Sequence, residues 1–413
     1  MNYAAHVVKV VVTGMGVASM ACKGITRWIM ALSSVAALAG TLAAAPAAAQ
    51  VKVGVILSTS GPAASQGAPQ LNTVPLLPAS VGGQAVQYVV VDDGTDAARA
   101  VAHAAKLIEA EKVDAIIGST TTPASLAMLE VAAAKGVPMI SLATSSRVVA
   151  PMDEQRRWVF KTSQNDSLMS DAIAKHMRKA GVRSVGFIGF DDALGEGWRA
   201  EITRALEPWQ IKLLATEKFK RADTDVSAQV GRLMAAKPDA VMVGGSGTPS
   251  AVPLRALRAA GYAGKIYLTH GVANAEFLRA GGKEAEGALL PVGPVLVVSQ
   301  LPDSHPVKAT AEEYVRQYEA KNGEGSASTL GAYMFDAGVM LKNAIPVAML
   351  ASKPGTPEFR AALRQALETA YDLPLTNGVA EVTADDHSGL DARAHVMVTV
   401  ADGNWKVLPR DQQ

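Results

Sequence analysis

The sequence predicts an α/β fold built as two doubly wound, Rossmann-like lobes joined by a hinge. Three observations carry this. Apolar runs of strand length alternate with amphipathic runs of helix length along most of the chain. The strand-like runs are almost continuously apolar, as expected of parallel strands buried on both faces. The rhythm also breaks twice, at 144–166 and where Pro291, Pro294, Pro302 and Pro306 cluster, which suggests that the chain crosses between two lobes more than once. Regular βαβα order brings right-handed crossovers with it.

The first predicted strand lies in VKVGVILSTSGP, from Val51. VQYVVVDD (86–93) precedes a helix on which Ala98, Val101, Ala105 and Ile108 recur at helical spacing. VDAIIGS (113–119) leads into the helix PASLAMLEVAAAK, and VPMISLA (137–143) follows. The second lobe repeats the order with VRSVGFIGF (182–190), IKLLATEKF (211–219), AVMVGGS (240–246) and KIYLTH (265–270). Helices are predicted at about 308–321, 328–345 and 357–370. An antiparallel pair, HVMVTV and NWKVL, turns at Asp402-Gly403-Asn404.

Residues 1–49 read as a leader. Ile29 to Ala45 carry no charge and follow Lys23 and Arg27, and Ala47 and Ala49 fit the small-residue rule for cleavage after Ala49. Residues 1–19 are surplus to such a leader, so Met20 fits as the start. A retained anchor and lipidation at Cys22 are the weaker alternatives. Export across the inner membrane makes nucleotide-dependent enzymes and DNA binders poor candidates.

The leader takes Lys9, Lys23 and Arg27 from the 39 basic residues, leaving 36 against 38 acidic ones, a net charge of −2. That balance offers no electrostatic footprint for nucleic acid or anionic lipid. The single cysteine of the chain lies in the leader, so the remainder forms no disulfide. The 364 residues from Gln50 suffice for two domains.

Open parallel sheets bind ligands outside the carboxyl ends of their strands, and two facing sheets place that region in the cleft between lobes. Ser119, Thr120, Thr121 and Thr122 stand at such an end, with Thr122 expected as N-cap and Pro123 in the first helical turn. A hydroxyl-rich loop at a helix N-terminus suits a carboxylate. Ala143, Thr144 and Ser145 end the adjacent strand in the same way. The second lobe offers Gly245 and Ser246 after one strand and His270 and Gly271 after another.

The enzyme signals are weak. Gly195-Glu196-Gly197-Trp198-Arg199-Ala200 matches a dinucleotide fingerprint, but Asp191 to Leu194 separate it from its strand. Gly244 to Thr248 lacks the final glycine of a nucleophile elbow. Asp385, Asp386, His387, Asp391 and His395 read as a polar turn without metal-ligand spacing. The expectation is no catalysis, no cofactor and no metal.

VGVILSTSGPAASQG, VVVDDGTDAARAV, IIGSTTTPAS, GVPMISLAT, VGFIGFDDALGEG, LTHGVAN and the closing GNWKVL together resemble the leucine/isoleucine/valine-binding proteins, the periplasmic receptors of branched-chain amino acid ABC importers. The resemblance spans about 51–409. It implies a type I periplasmic binding protein with a 50–166 and 298–385 lobe, a 167–297 and 386–409 lobe, and crossovers near 166, 297 and 385. It also implies a ligand carboxylate held by Ser119–Thr122 and Ala143–Thr144. His270 stands where the family places a carboxylate for the ligand's ammonium, and Leu194 replaces the aromatic of its D-x-x-Y-G-x-G loop. The expected protein is therefore a monomeric, periplasmic binder of a small carboxylate-bearing molecule, either amino acid-like or an aromatic or organic acid. Its partner is an inner-membrane ABC permease. A sensing receptor for amides or small acids is the alternative, with an exported enzyme behind it.

Overall fold

The computed structural model describes residues 50–409 and 412. The leader, the Met20 start and Cys22 lie outside the described residues. The first sheet contains β1 (Val51–Leu57), β2 (Ser80–Val81), β3 (Gln84–Asp92), β4 (Ala115–Gly118), β5 (Met139–Ser141) and β6 (Val159–Lys161), in the order β2-β3-β1-β4-β5-β6. The second contains β7 (Ser184–Phe190), β8 (Lys212–Phe219), β9 (Ala240–Gly244), β10 (Lys265–Leu268) and β11 (Leu289–Val292). β12 (Leu373–Pro374) and β13 (Val379–Ala380) form a separate pair, while β14 (Val396–Ala401) and β15 (Asn404–Val407) extend the second sheet to β15-β14-β11-β10-β9-β7-β8. Pairing is parallel except at the β2–β3 hairpin, the β12–β13 pair and the β11–β14–β15 edge.

The strands are apolar throughout because both faces are covered. Val51, Val53, Val55 and Leu57 of β1 pack with Tyr333, Met334, Leu341 and Phe359. Ile56 faces the other way, toward Ala104, Leu107 and Met128. The first lobe's helices are α1 (Ala64–Thr73), α2 (Ala97–Glu109) and α3 (Thr122–Lys135); the second lobe's are α4 (Asp166–Lys179), α5 (Ala193–Leu206), α6 (Ser227–Ala235), α7 (Ala251–Ala259) and α8 (Ala275–Gly281). α9 (Lys308–Asn322), α10 (Thr329–Ala351) and α11 (Pro357–Leu367) then return to the first lobe. α10 is long and apolar enough to cross a membrane, and its buried side is the core of that lobe.

Two expected details change. On α2 the buried face is Ala100, Ala104, Leu107 and Ile108, while Ala98 is exposed and Val101 and Ala105 are only half-buried. Alanine stands at buried and exposed positions alike on this helix, so alanine spacing alone does not mark the face. Pro291, expected in a break, lies inside β11, which pairs with β10 only at Leu289.

The chain passes between lobes after β6, after β11 and before β14. Gln164 links the three passages. Its Oε1 accepts the Tyr333 hydroxyl at 2.8 Å, and its Nε2 donates to the Ala394 carbonyl at 2.7 Å. A Cβ on Gly293 would stand 2.8 Å from that same Nε2. The third passage sits later than the expected 385. His387 is buried, stacks on Phe160 with ring centroids 4.1 Å apart, and donates from Nδ1 to the Val159 carbonyl at 2.9 Å. We therefore place that passage between His387 and Val396. The polar turn expected around His387 is in part a packed element of the first lobe.

Gly118, at the end of β4, has φ +126°, and a Cβ there would stand 2.0 Å from the Ile56 carbonyl oxygen. Backbone cannot yield as a side chain does. Gly118→Ala should cost on the order of 3 kcal/mol or more from strain and overpacking, read as a lowered urea midpoint. An unchanged midpoint would contradict this account of the β1–β4 approach.

Candidate functional site

Each sheet changes winding direction once. In the first this happens between β1 and β4, in the second between β7 and β9. Side-by-side strands whose connections leave in opposite directions open a crevice at their carboxyl ends. The two crevices face one another. Between them lies a cavity of about 10 Å³, room for roughly one water, with the lobes in contact around it. Thr248 donates its N–H to Ser65 Oγ across the cleft at 3.2 Å.

From the first lobe, Thr120, Thr121, Thr122, Leu142 and Thr144 line this cavity, with Gln66 of α1 and Leu330 of α10. From the second come Leu194, Ser246 and Arg221. The expected hydroxyl loops thus meet, but they divide the work. Ser119 is buried and donates to Asp93 at 2.6 Å. The Thr120 hydroxyl accepts the Ser58 N–H at 3.0 Å and donates to Gln70 Oε1 at 2.6 Å. Both are committed to holding the loop. Thr121, not Thr122, is the N-cap of α3, and its side chain makes no capping bond. The Thr122 hydroxyl is buried without a partner. The free end of α3 therefore presents its N–H groups and partial positive charge to the cavity.

Other expected residues stand apart from the cavity. Ala143 belongs to the core beneath it. Ser145 accepts the Arg147 N–H at 3.4 Å. Gly245 is a packing residue, since a Cβ there would meet Ser250 Oγ at 2.5 Å. Gly271 packs on Ser246 in the same manner and accepts the Gly247 N–H. His270 is wholly buried, 5.8 Å from the Trp198 ring, and neither ring nitrogen has a hydrogen bond of acceptable geometry. Burial first, then the Lys161 cation, pull its imidazole down to about 3, while the backbone of Gln164 acts the other way. It is neutral at ordinary pH.

Arg221 is the cavity-lining residue the sequence reading passed over. It lies two residues beyond the carboxyl end of β8, in KFKRAD, where a charge run reads as solvated surface. Packing buries it. Its guanidinium carbon stands 4.1 Å from the Phe190 ring centroid, Nε donates to Asp192 Oδ2 at 2.7 Å and Nη1 to Ser246 Oγ at 3.4 Å. Nη2 is buried without a partner. Burial pulls its pKa below the ordinary arginine value, with Asp192 opposing that shift.

A family profile described as "Periplasmic binding protein" matches residues 50–404. The chain belongs to the periplasmic binding protein family. A relative from Brucella melitensis, Leu/Ile/Val-binding protein homolog 3, is 26% identical over 310 residues, 73% of this chain and 81% of the relative. An extracellular ligand-binding receptor from Rhodopseudomonas palustris HaA2 is 41% identical, with a TM-score of 0.85, covering 87% of this chain and all of the receptor. A leucine-binding protein from Thermotoga maritima shares the fold at 24% identity and a TM-score of 0.74, covering 87% of this chain and 98% of its own. The family comprises solute-binding and receptor proteins, and the fold is the type I arrangement expected.

In this periplasmic binding protein the cleft loop after β5 is held from below by Lys161. Its buried ammonium donates to the carbonyls of Thr144 at 2.8 Å and Ser145 at 3.2 Å, and to Asn165 Oδ1 at 2.9 Å. Burial pulls the Lys161 pKa down to about 7 against the attraction of Asp166 and Asp386. Between pH 7 and the unfolded value near 10.5 the unfolded chain thus binds the extra proton, so stability rises with pH across that window. The slope is at most about 1.4 kcal/mol per pH unit. Urea midpoints at pH 7, 8 and 9 should climb in the wild type and flatten in Lys161→Met. Equal slopes in the two proteins would show that Lys161 titrates normally.

Proposed function

We propose that this protein is the periplasmic receptor of an ABC importer. It binds a small carboxylate-bearing molecule between its lobes and delivers it, as a monomer, to an inner-membrane permease. The observation that carries this is the cavity where both switch points meet, lined by hydroxyls at an uncapped helix N-terminus and closed by the opposite lobe. Family membership supports extracytoplasmic solute binding. The Brucella melitensis relative is named for leucine, isoleucine and valine, each of which carries a carboxylate.

A ligand touching both lobes favours the closed arrangement over an open one, and its differential affinity sets the shift. The permease reads that shift as closure. A thermal-shift screen across amino acids, aryl carboxylates and short organic acids should return a carboxylate among its hits. A sugar or a metal ion as the sole hit would end this reading.

Within the site, Thr121→Ala and Thr144→Ala should each weaken binding of that carboxylate without changing the melting temperature of the free protein appreciably. Loss of one hydrogen bond to a charged group costs about 1.5–3 kcal/mol, roughly tenfold to 150-fold in affinity. Affinity unchanged in both variants would reduce the loops to structural elements.

A further inference from the structure

We propose that Arg221 binds a second oxygen of the ligand, so that the cleft takes acids with a further acceptor beside the carboxylate, such as 2-oxo acids, and rejects free α-amino acids. This rests on the carboxylate-binding reading above and names the substrate class of the same site.

The argument is an inventory of hydrogen-bonding capacity. Three polar atoms of cavity-lining residues are buried without partners: Gln66 Nε2, Thr122 Oγ1 and Arg221 Nη2. Two of these are donors only, and the hydroxyl serves either way. The α3 terminus adds further N–H donors. No carboxylate lines the cavity. Two acids flank the cavity without lining it: Asp166, whose Oδ1 accepts the Ser146 N–H at 2.7 Å and whose Oδ2 is buried, and Asp192, which is engaged at both oxygens. Asp192 Oδ1 accepts the N–H groups of Leu194 and Gly195 at 2.8 and 3.2 Å, and its Oδ2 accepts Arg221 Nε at 2.7 Å. Asp191 is directed outward to Lys218 at 3.4 Å. An ammonium arriving here would meet a cation and spare donors, and among the lining side chains only neutral hydroxyl and amide oxygens, with no counter-charge. Burying a charge without a partner is prohibitively costly.

A ligand oxygen meets the opposite situation. Arg221 is held flat against Phe190 and fixed by Asp192 and Ser246, so its free Nη2 is preorganised to donate. The two anion-receiving ends lie on different lobes, the hydroxyls and helix terminus on one and Arg221 on the other. A molecule whose second acceptor meets Arg221 while its carboxylate meets the hydroxyls and helix terminus therefore bridges the cleft.

The test compares matched acids of one skeleton by calorimetry on the purified protein: alanine, pyruvate and propionate; valine, 2-oxoisovalerate and isovalerate; phenylalanine, phenylpyruvate and 3-phenylpropionate. In any skeleton that binds, the oxo acid should bind about tenfold or more tighter than the unsubstituted acid, in keeping with one charge-assisted hydrogen bond. The amino acid should be weakest. Arg221→Gln should erase the oxo-acid advantage, lowering oxo-acid affinity about tenfold more than that of the unsubstituted acid. Arg221→Lys, which keeps the charge beside Asp192 and Phe190, serves if the glutamine variant folds poorly, and it should reduce the same advantage. An amino acid that outbinds its oxo analogue overturns the inference, as does an oxo-acid preference that survives both variants. Unsubstituted acids binding as well as oxo acids also overturns it, while leaving carboxylate binding intact. Binding of no acid at all overturns both.

Discussion

The cleft depends on one buried carboxylate. Asp93 follows β3, and its side chain accepts the Ser58 hydroxyl at 2.7 Å, the Ser119 hydroxyl at 2.6 Å and the Thr95 N–H at 2.9 Å. These donors come from the ends of β1, β4 and β3 itself. A carboxylate out of water is tolerable only with such donors, and charge-assisted bonds of this length are strong. The consequence runs outward. Ser58, once fixed, presents its N–H to Thr120, whose hydroxyl is thereby taken out of ligand chemistry. Thr121 and Thr122 are left at the free end of α3.

The second lobe repeats this logic with Asp192. One of its oxygens caps α5 and the other holds Arg221 against Phe190. Each lobe thus uses a carboxylate to organise the loops at its own switch point. The chemistry presented to the cleft is what remains after those bonds are made: hydroxyls, an amide, a guanidinium and helix N–H groups, over an apolar floor of Leu142, Leu194 and Leu330. The proposed preference for acceptor-bearing ligands would then be a by-product of how the loops are held.

Much of this architecture was legible in the sequence. Strands covered on both faces announce themselves as apolar runs, and β1, β4, β7 and β9 stand where those runs do. The hydroxyls at strand ends were legible for the same reason. What the sequence concealed was packing between distant segments. His270 also ends a strand, but β10 lies one strand away from the β7–β9 switch, and the side chain is enclosed beside Trp198. Arg221 sits among charges that are exposed neighbours in sequence only. Leu330 comes from α10, 84 residues beyond Ser246, the lining residue before it in the chain. Ser119 and Thr120 share their residue type with Thr121 and Thr122, and only the Asp93 network tells them apart.

That residual chemistry also explains how binding is coupled to closure. Asp166, at the first passage, accepts the Ser146 N–H at 2.7 Å, but away from the passages the bonds across the cleft are long: Thr248 to Ser65 at 3.2 and 3.4 Å, and Ser146 to Glu201 at 3.5 Å. Such bonds are worth about 0.5–1.5 kcal/mol each at best. Against them stand buried donors of Gln66 and Arg221 that have lost water without gaining a partner, at roughly 1–3 kcal/mol apiece. In an open arrangement the same groups face solvent and carry no such cost. A ligand that supplies acceptors removes the penalty only when the lobes are closed. Its free energy is therefore differential between the two arrangements, which is the condition for a ligand to shift an equilibrium at all. Gln164, bonded to both Tyr333 and Ala394, ties the passages between lobes together.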